Sequence, residues 1–289
     1  MTAFAPGVGE KLLARLGREP GPDGPMLLPM GLPRGRRARV AALLAASGLA
    51  SAACRHPLRT VDLVWNRQPG VVYGVATDAP RVALTVDDGP DAAGTPAILD
   101  TLTRHGAHAT FFLLGERVAG REALVQRIVA AGNEIGNHGM REEPAIDLPP
   151  EAFERELLEA QQRLAPFGAS CWFRPGSGWY DETMLQVLAR HGYRLALGSS
   201  YPLDAQLPFP GLASWWLRLD AEPGEVIVLH DGAERGARTA AVLETLLPAL
   251  SRKGLAVVTL SELVATSRDA AAGPDGVGIG CSGAEGGDS

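Results

Sequence analysis

Two adjacent carboxylates, Asp87 and Asp88, follow the apolar run Val82–Val86 and precede Gly89-Pro90. A short apolar run ending in such a cluster reads as a buried strand with a polar, turn-forming end. There, one carboxylate could bind a cation while the other takes a proton, or both could face solvent in a turn. His138 and Glu142 are spaced i, i+4. In a helical turn that spacing puts both on one face, close enough to share a metal ion; an isolated histidine serves equally well as a structural group. Arg174 opens Arg-Pro-Gly-Ser-Gly, where a guanidinium could grip a carboxylate with two hydrogen bonds or lie on the surface before a turn. His230 ends Val-Ile-Val-Leu-His, at the mouth of a buried strand, which suits a general acid or base and also a hydrogen-bonded rim residue.

These residues need a frame, and the hydrophobic periodicity supplies one. Strands are expected at 82–86, 109–113, 134–138, 172–173, 193–197, 226–229 and 256–260. Helical spacing or helix-ending glycines mark 95–105, 121–131, 150–164, 183–191 and 239–253 between them. Alternating strands and helices with short loops imply a parallel sheet with crossover helices, open or closed as a barrel. Asp87, Asp88, His138, Arg174 and His230 all fall just after strands. In a (β/α) barrel those ends share one face, which carries active sites, and an open sheet behaves similarly. The folded unit is expected as a single domain over residues 80–265, preceded by an arm at 55–79, with no internal repeat.

The chain has 289 residues, 46% hydrophobic and 21% charged, with a net charge of −6 and a pI near 5.6. A large core is affordable, and there is no basic excess to neutralise phosphates, which argues against nucleic acid as a partner. The three cysteines, Cys54, Cys171 and Cys281, have no metal-site spacing. Cys171 reads as a small buried hydrophobe, and no disulfide framework is expected.

Residues 34–39, Arg-Gly-Arg-Arg-Ala-Arg, lead into an apolar run from Val40 to Ala53. A basic segment, a short apolar core and small residues make an export signal, and the run is too short to span a bilayer comfortably. Ser51-Ala52-Ala53-Cys54 resembles a lipoprotein cleavage box with serine in place of the usual leucine, which would anchor the chain through Cys54; ordinary cleavage near Ala53 is the alternative. The protein is therefore expected to be exported: periplasmic, cell-surface or extracellular. Residues 1–29 are rich in acids, prolines and glycines that no such signal needs, so translation is expected to start at Met30, with Met26 and Met1 as alternatives. At the other end, 266–289 lacks periodicity and reads as a disordered tail.

The motif order Thr85-Val-Asp-Asp-Gly-Pro, Gly-Asn-Glu-Ile-Gly-Asn-His, Phe173-Arg-Pro and Val-Leu-His-Asp resembles the polysaccharide deacetylases. These are carbohydrate esterases built on the NodB homology domain. The ending Gly-Leu-Ala-Val-Val-Thr-Leu-Ser-Glu-Leu is similar to that family's last strand. The resemblance implies a distorted (β/α) barrel with fewer than eight repeats and a metal-dependent removal of N-acetyl groups from an N-acetylglucosamine polymer such as chitin or peptidoglycan. Asp87 matches the family's catalytic base, and Asp88 and His138 match metal ligands, usually of zinc. Arg174 matches the arginine that orients the base, His230 the general acid, and, more loosely, Asp204 the aspartate that tunes it.

Three departures stand out. Glu142 replaces the second metal histidine, with Glu143 as a neighbouring candidate. A carboxylate also ligates zinc, but an Asp-His-Glu set is harder and shifts selectivity toward manganese or cobalt. Ser177 stands where the family has a tyrosine whose backbone N–H serves the oxyanion hole, and a backbone donor survives that change. Tyr201 stands where the first aspartate of the family's fourth motif is expected. Trp179, Trp215 and Trp216 are candidates for stacking on sugar rings, and Trp172 for the core. Two alternatives stay open: a catalytically impaired glycan-binding relative, and a hydrolase of another non-peptide C–N amide bond.

Overall fold

The computed structural model describes residues 70–267 apart from 169–170, 203, 205–208 and 233. The signal-like segment with Cys54, the alternative start sites, most of the arm and the tail with Cys281 lie outside the described residues. Along the described chain run β1 (Val71–Val72), β2 (Arg81–Gly89), α1 (Gly94–His105), β3 (Thr110–Leu113), α2 (Gly115–Val118), α3 (Glu122–Ala130), β4 (Glu134–Asn137) and α4 (Pro150–Leu164). Then follow β5 (Trp172–Phe173), α5 (Glu182–Arg190), β6 (Arg194–Ala196), α6 (Pro210–Asp220), β7 (Val226–His230), α7 (Glu234–Arg252), β8 (Ala256–Val258) and α8 (Leu260–Val264).

The strands join in the order β1-β6-β5-β4-β3-β2-β7, with β8 also on β2, and every ladder is parallel. Isolated bridges from Gly74 to Glu225 and from Ser200 to Ile227 tie the segments after β1 and β6 to β7 at the other end of the run. The result is an α/β sheet that curls back on itself without a continuous closing ladder. β2 pairs with three strands, β3, β7 and β8, and is buried from Val82 to Gly89, as its apolar run requires of a strand covered on both faces. Val82, Leu84 and Val86 pack with Ile98 and Leu102 of α1 and Leu243 and Leu246 of α7, while Ala83 faces the cluster of Phe112, Trp172 and Val226. A third cluster joins Phe153 and Leu157 of α4 to Val187 and Leu188 of α5.

Several expectations change. β1 lies within the stretch read as an arm, so the sheet begins at Val71. The last expected strand stops at Val258, where Thr259 caps α8 in a capping box with Glu262. Helix α6 was not anticipated, because its apolar residues point the wrong way for a core pattern. Leu212, Trp215, Trp216 and Leu219 are exposed, whereas Ala213, Ser214 and Leu217 are buried. Cys171 is disulfide-bonded, which corrects its reading as a small buried hydrophobe outside any disulfide; hydrophobic character and metal-ligand spacing, on which that reading rested, say nothing about which sulfurs the fold brings together. Among the described residues, no helix is long and apolar enough to cross a membrane.

Candidate active site

In a flat strand, adjacent side chains point to opposite faces, so Asp87 and Asp88 would not share a site. The β2–β3 register breaks between them: Asp87 pairs with Phe112, and the next pair is Gly89 with Leu113. Asp88 is the extra residue and has φ 67°, a left-handed conformation that aspartate tolerates better than most residues. Such a bulge re-aims a side chain at a strand end. Both carboxylates stay buried, and each meets a different cation.

Asp87 accepts a 2.7 Å hydrogen bond from Nη1 of Arg174. The same Nη1 reaches Thr85 Oγ1 at 2.7 Å, while Nε and Nη2 donate to the carbonyls of Ala196 (3.0 Å) and Leu197 (2.7 Å). Thr85 shares the strand face of Asp87 and donates its own hydroxyl to the Ile227 carbonyl at 2.8 Å. The Arg174 guanidinium lies over the Phe112 ring, 4.1 Å from its centroid. Arg174 is 2% exposed, and a charge this buried is tolerable only with such a set of partners. Phe112 needs room beneath β4: a Cβ at Gly136 would lie 2.8 Å from that ring, which explains the glycine in Ile135-Gly-Asn-His.

His138 follows β4. Its Nδ1 lies 2.7 Å from the Arg174 carbonyl, and its Nε2 lies 3.2 Å from Asp88 Oδ1. A carbonyl only accepts, so Nδ1 carries a proton and a neutral ring would turn its Nε2 lone pair on a carboxylate oxygen. That arrangement needs a positive charge between the two atoms, either a proton or a cation. Burial lowers the His138 pKa, but the charges of Asp87 and Asp88 and the hydrogen bonds outweigh it and the net shift is upward. Burial likewise opposes ionisation of Asp88, yet His138, His230 and Arg235 hold its pKa at about 2. The donor chemistry of Asp88 and His138 therefore fits a divalent ion, with the fixed tautomer typical of metal-binding histidines.

Glu142 does not join them. Residues 138–144 form a loop with a bend at 140–143 rather than a helical turn, so the premise of the i, i+4 spacing fails. The Glu142 carboxylate is 45% exposed and is held by Arg117 (Nη2–Oε2, 2.5 Å) and Arg235 (Nη2–Oε1, 2.8 Å). Glu143 is exposed as well. Among the described residues, no three His, Cys, Asp or Glu side chains converge on one point.

His230 closes β7 opposite Asp87 in the ladder. Asp204 accepts its backbone N–H at 2.8 Å (Oδ2) and faces its Nδ1 at 3.0 Å (Oδ1). Burial pulls the imidazole pKa down, but the Asp204 hydrogen bond and the charges of Asp204, Asp87 and Asp88 overcome it and raise it. Ser177 is exposed with a left-handed backbone (φ 64°), and Trp179 beside it is half-buried. Tyr201 keeps 42% of its surface exposed while its phenol end turns toward Gly198, Asp87 and Arg174, where burial pushes its pKa up to about 12. Trp172 is core, with Nε1 donating to Ser261 Oγ at 2.9 Å.

Thr85, Arg117 and Arg235 were not foreseen at the site. Thr85 opens the Thr85-Val-Asp-Asp-Gly-Pro motif, and its i, i+2 relation to Asp87 is the signal that marks it. Arg117 and Arg235 carry no such signal.

Comparison with known proteins agrees with this geometry. The sequence profile described as polysaccharide deacetylase matches residues 74–196. A peptidoglycan-N-acetylglucosamine deacetylase of Bacillus cereus is 32% identical over 197 residues, which is 67% of this chain and 92% of that protein. A chitooligosaccharide deacetylase of Rhizobium leguminosarum bv. phaseoli is 32% identical over 208 residues, 67% of this chain and 90% of that protein. The crystal structure of a peptidoglycan N-acetylglucosamine deacetylase superposes with a TM-score of 0.66 at 27% identity, covering 70% of this chain and 99% of that one. Similarity that spans nearly the whole of these relatives, on a sheet whose strand ends gather the motif residues in one place, means that the chain belongs to the polysaccharide deacetylase family.

Proposed function

We propose that this protein hydrolyses the N-acetyl groups of an N-acetylglucosamine-containing polysaccharide. The observation that carries the reading is the opposition, across one ladder, of a carboxylate pinned by Arg174 and an imidazole backed by Asp204. Amide hydrolysis needs a base for water on one side of the carbonyl and an acid for the leaving nitrogen on the other. Asp87, which cannot turn away from Arg174, takes the proton of the attacking water. Nε2 of His230, free because Nδ1 serves Asp204, gives a proton to the amine as the C–N bond breaks. The Ser177 N–H is the backbone donor available to the developing oxyanion, and Trp179 offers a ring face to a sugar. Asp88 and His138 would hold a divalent ion, with zinc favoured and manganese or cobalt as alternatives, which supplies Lewis acidity when bound.

The relatives' action on peptidoglycan and chitooligosaccharides supports an amino-sugar polymer as substrate. The disulfide at Cys171 supports export, since such bonds persist in oxidising compartments. Release of acetate from N-acetylglucosamine oligomers by the purified, zinc-loaded chain tests the proposal. Asp87→Asn should abolish release, by about 10²–10⁴-fold as for loss of a general base, and keep its metal. Near-normal turnover in that variant would remove Asp87 from its role. The ties of Glu142 to two arginines favour one second reading, a glycan-binding relative with impaired catalysis; binding of the oligomers with metal present and no acetate released would establish it.

A further inference from the structure

Arg235 lies in the first turn of α7, and its one planar cation spans two carboxylates. Nη1 is 3.1 Å from Asp88 Oδ2 and Nη2 is 2.8 Å from Glu142 Oε1. The Asp88 carboxylate is thus divided, with Oδ1 toward His138 and Oδ2 toward Arg235. Arg117 completes the arrangement from α2, donating to the Asp88 backbone carbonyl and to Glu142 Oε2. Glu142 cannot approach Asp88 while the Arg235 guanidinium stands between them.

We propose that Arg235 is a tethered counter-cation that competes with a divalent ion for Asp88 and holds Glu142 apart from it, so that Arg235 sets the metal affinity of this site. The inference rests on the deacetylase reading only in taking Asp88 and His138 as ligands. An ion drawing on both oxygens of Asp88 must displace the guanidinium, and a positive charge left beside the ion repels it. The Asp88 side chain is buried, but Arg235 itself is 22% accessible and its second partner Glu142 is 45% accessible, so the guanidinium can swing toward solvent, and its Glu142 pair holds weakly and yields to salt. Once parted from Arg235, Glu142 keeps its Arg117 contact through Oε2, and its Oε1 is released toward the cation. Removing the charge at Arg235 therefore frees one oxygen of Asp88 and one of Glu142 together.

The test is a titration of the full chain, stripped of metal, with Zn²⁺ and then Mn²⁺ against a chelating dye. Arg235→Gln and Arg235→Met should each bind Zn²⁺ at least about ten-fold tighter than the parent, the size of effect that groups bonded to metal ligands exert. Arg117→Gln leaves the pairing at the Asp88 carboxylate in place and should gain less. Adding His138→Ala to Arg235→Gln should abolish the binding. Unchanged or weaker affinity in both neutral variants, with melting curves like the parent, overturns the proposal, as does a gain that survives His138→Ala. Acetate release is read separately: zinc tightening without acetate defeats the deacetylase reading alone, and acetate release with unmoved zinc affinity defeats the role of Arg235 alone.

Discussion

Arg174 and Arg235 each neutralise one of two adjacent carboxylates, but in opposite physical settings. Arg174 is 2% exposed and donates four hydrogen bonds, to Thr85, Asp87, Ala196 and Leu197, from a position over Phe112. Arg235 has a side chain 22% exposed and pairs with Asp88 and with a 45% exposed Glu142. The first arrangement is built into the core and keeps one geometry. The second reaches from buried Asp88 out to solvent, where screening makes its Glu142 pair weak and exchangeable. On the proposed reading, such a site holds its base rigidly while its cation-binding half stays adjustable.

Breaking the rigid half should have the largest effect. Arg174→Ala strands a buried carboxylate at Asp87, which should cost about 3–5 kcal/mol of stability. Denaturant unfolding should show this as a fall in midpoint, with acetate release lost; a midpoint within error of the parent would mean that Asp87 is less buried than the fold places it.

Asp204→Asn should act next, on the pH profile. The folded pKa of His230 is raised, chiefly against burial and by Asp204, with Asp87 and Asp88 adding. A general acid works while protonated, so activity is present below that raised pKa and is lost as pH rises through it. Without the Asp204 charge, burial dominates and the pKa falls. The alkaline limb of the profile should then move to lower pH, with the rate at pH 8 falling more than the rate at pH 6. An unmoved limb would take His230 out of the acid role.

The smallest effect belongs to the exposed half. Glu142→Gln removes two surface ion pairs, and stability should change by less than about 1 kcal/mol. A loss comparable to that of Arg174→Ala would erase the contrast between the two arginines.

Helices α1, α4 and α5 and strands β2 to β7 were readable within a few residues, the helices because apolar residues recur at the helical period and the strands because short, continuous apolar runs suit strands buried on both faces. Helix α6 was not, since it buries Ala213, Ser214 and Leu217 while exposing Trp215 and Trp216; amphipathic logic then points away from the core. The placement of Arg174 after β5 and His230 at the end of β7 was legible from the apolar runs that precede them. The location of Glu142 was not, because spacing locates a partner only if the backbone between is helical, and residues 138–144 form a loop that bends at 140–143 instead.

What the sequence determined by itself is the inventory and its order: two carboxylates, a histidine, an arginine and a second histidine, each delivered by a strand end in a parallel α/β sheet. Local hydrophobic pattern carries that information, because each strand must bury its own apolar run. What only the tertiary structure decided is which charges meet. The bulge at Asp88 turns its carboxylate toward His138 and Arg235, and the separation of Glu142 from Asp88 by a guanidinium comes from an α7 residue distant in sequence. Electrostatic pairing depends on distances of a few ångströms between segments far apart along the chain, and no pattern within one segment encodes them.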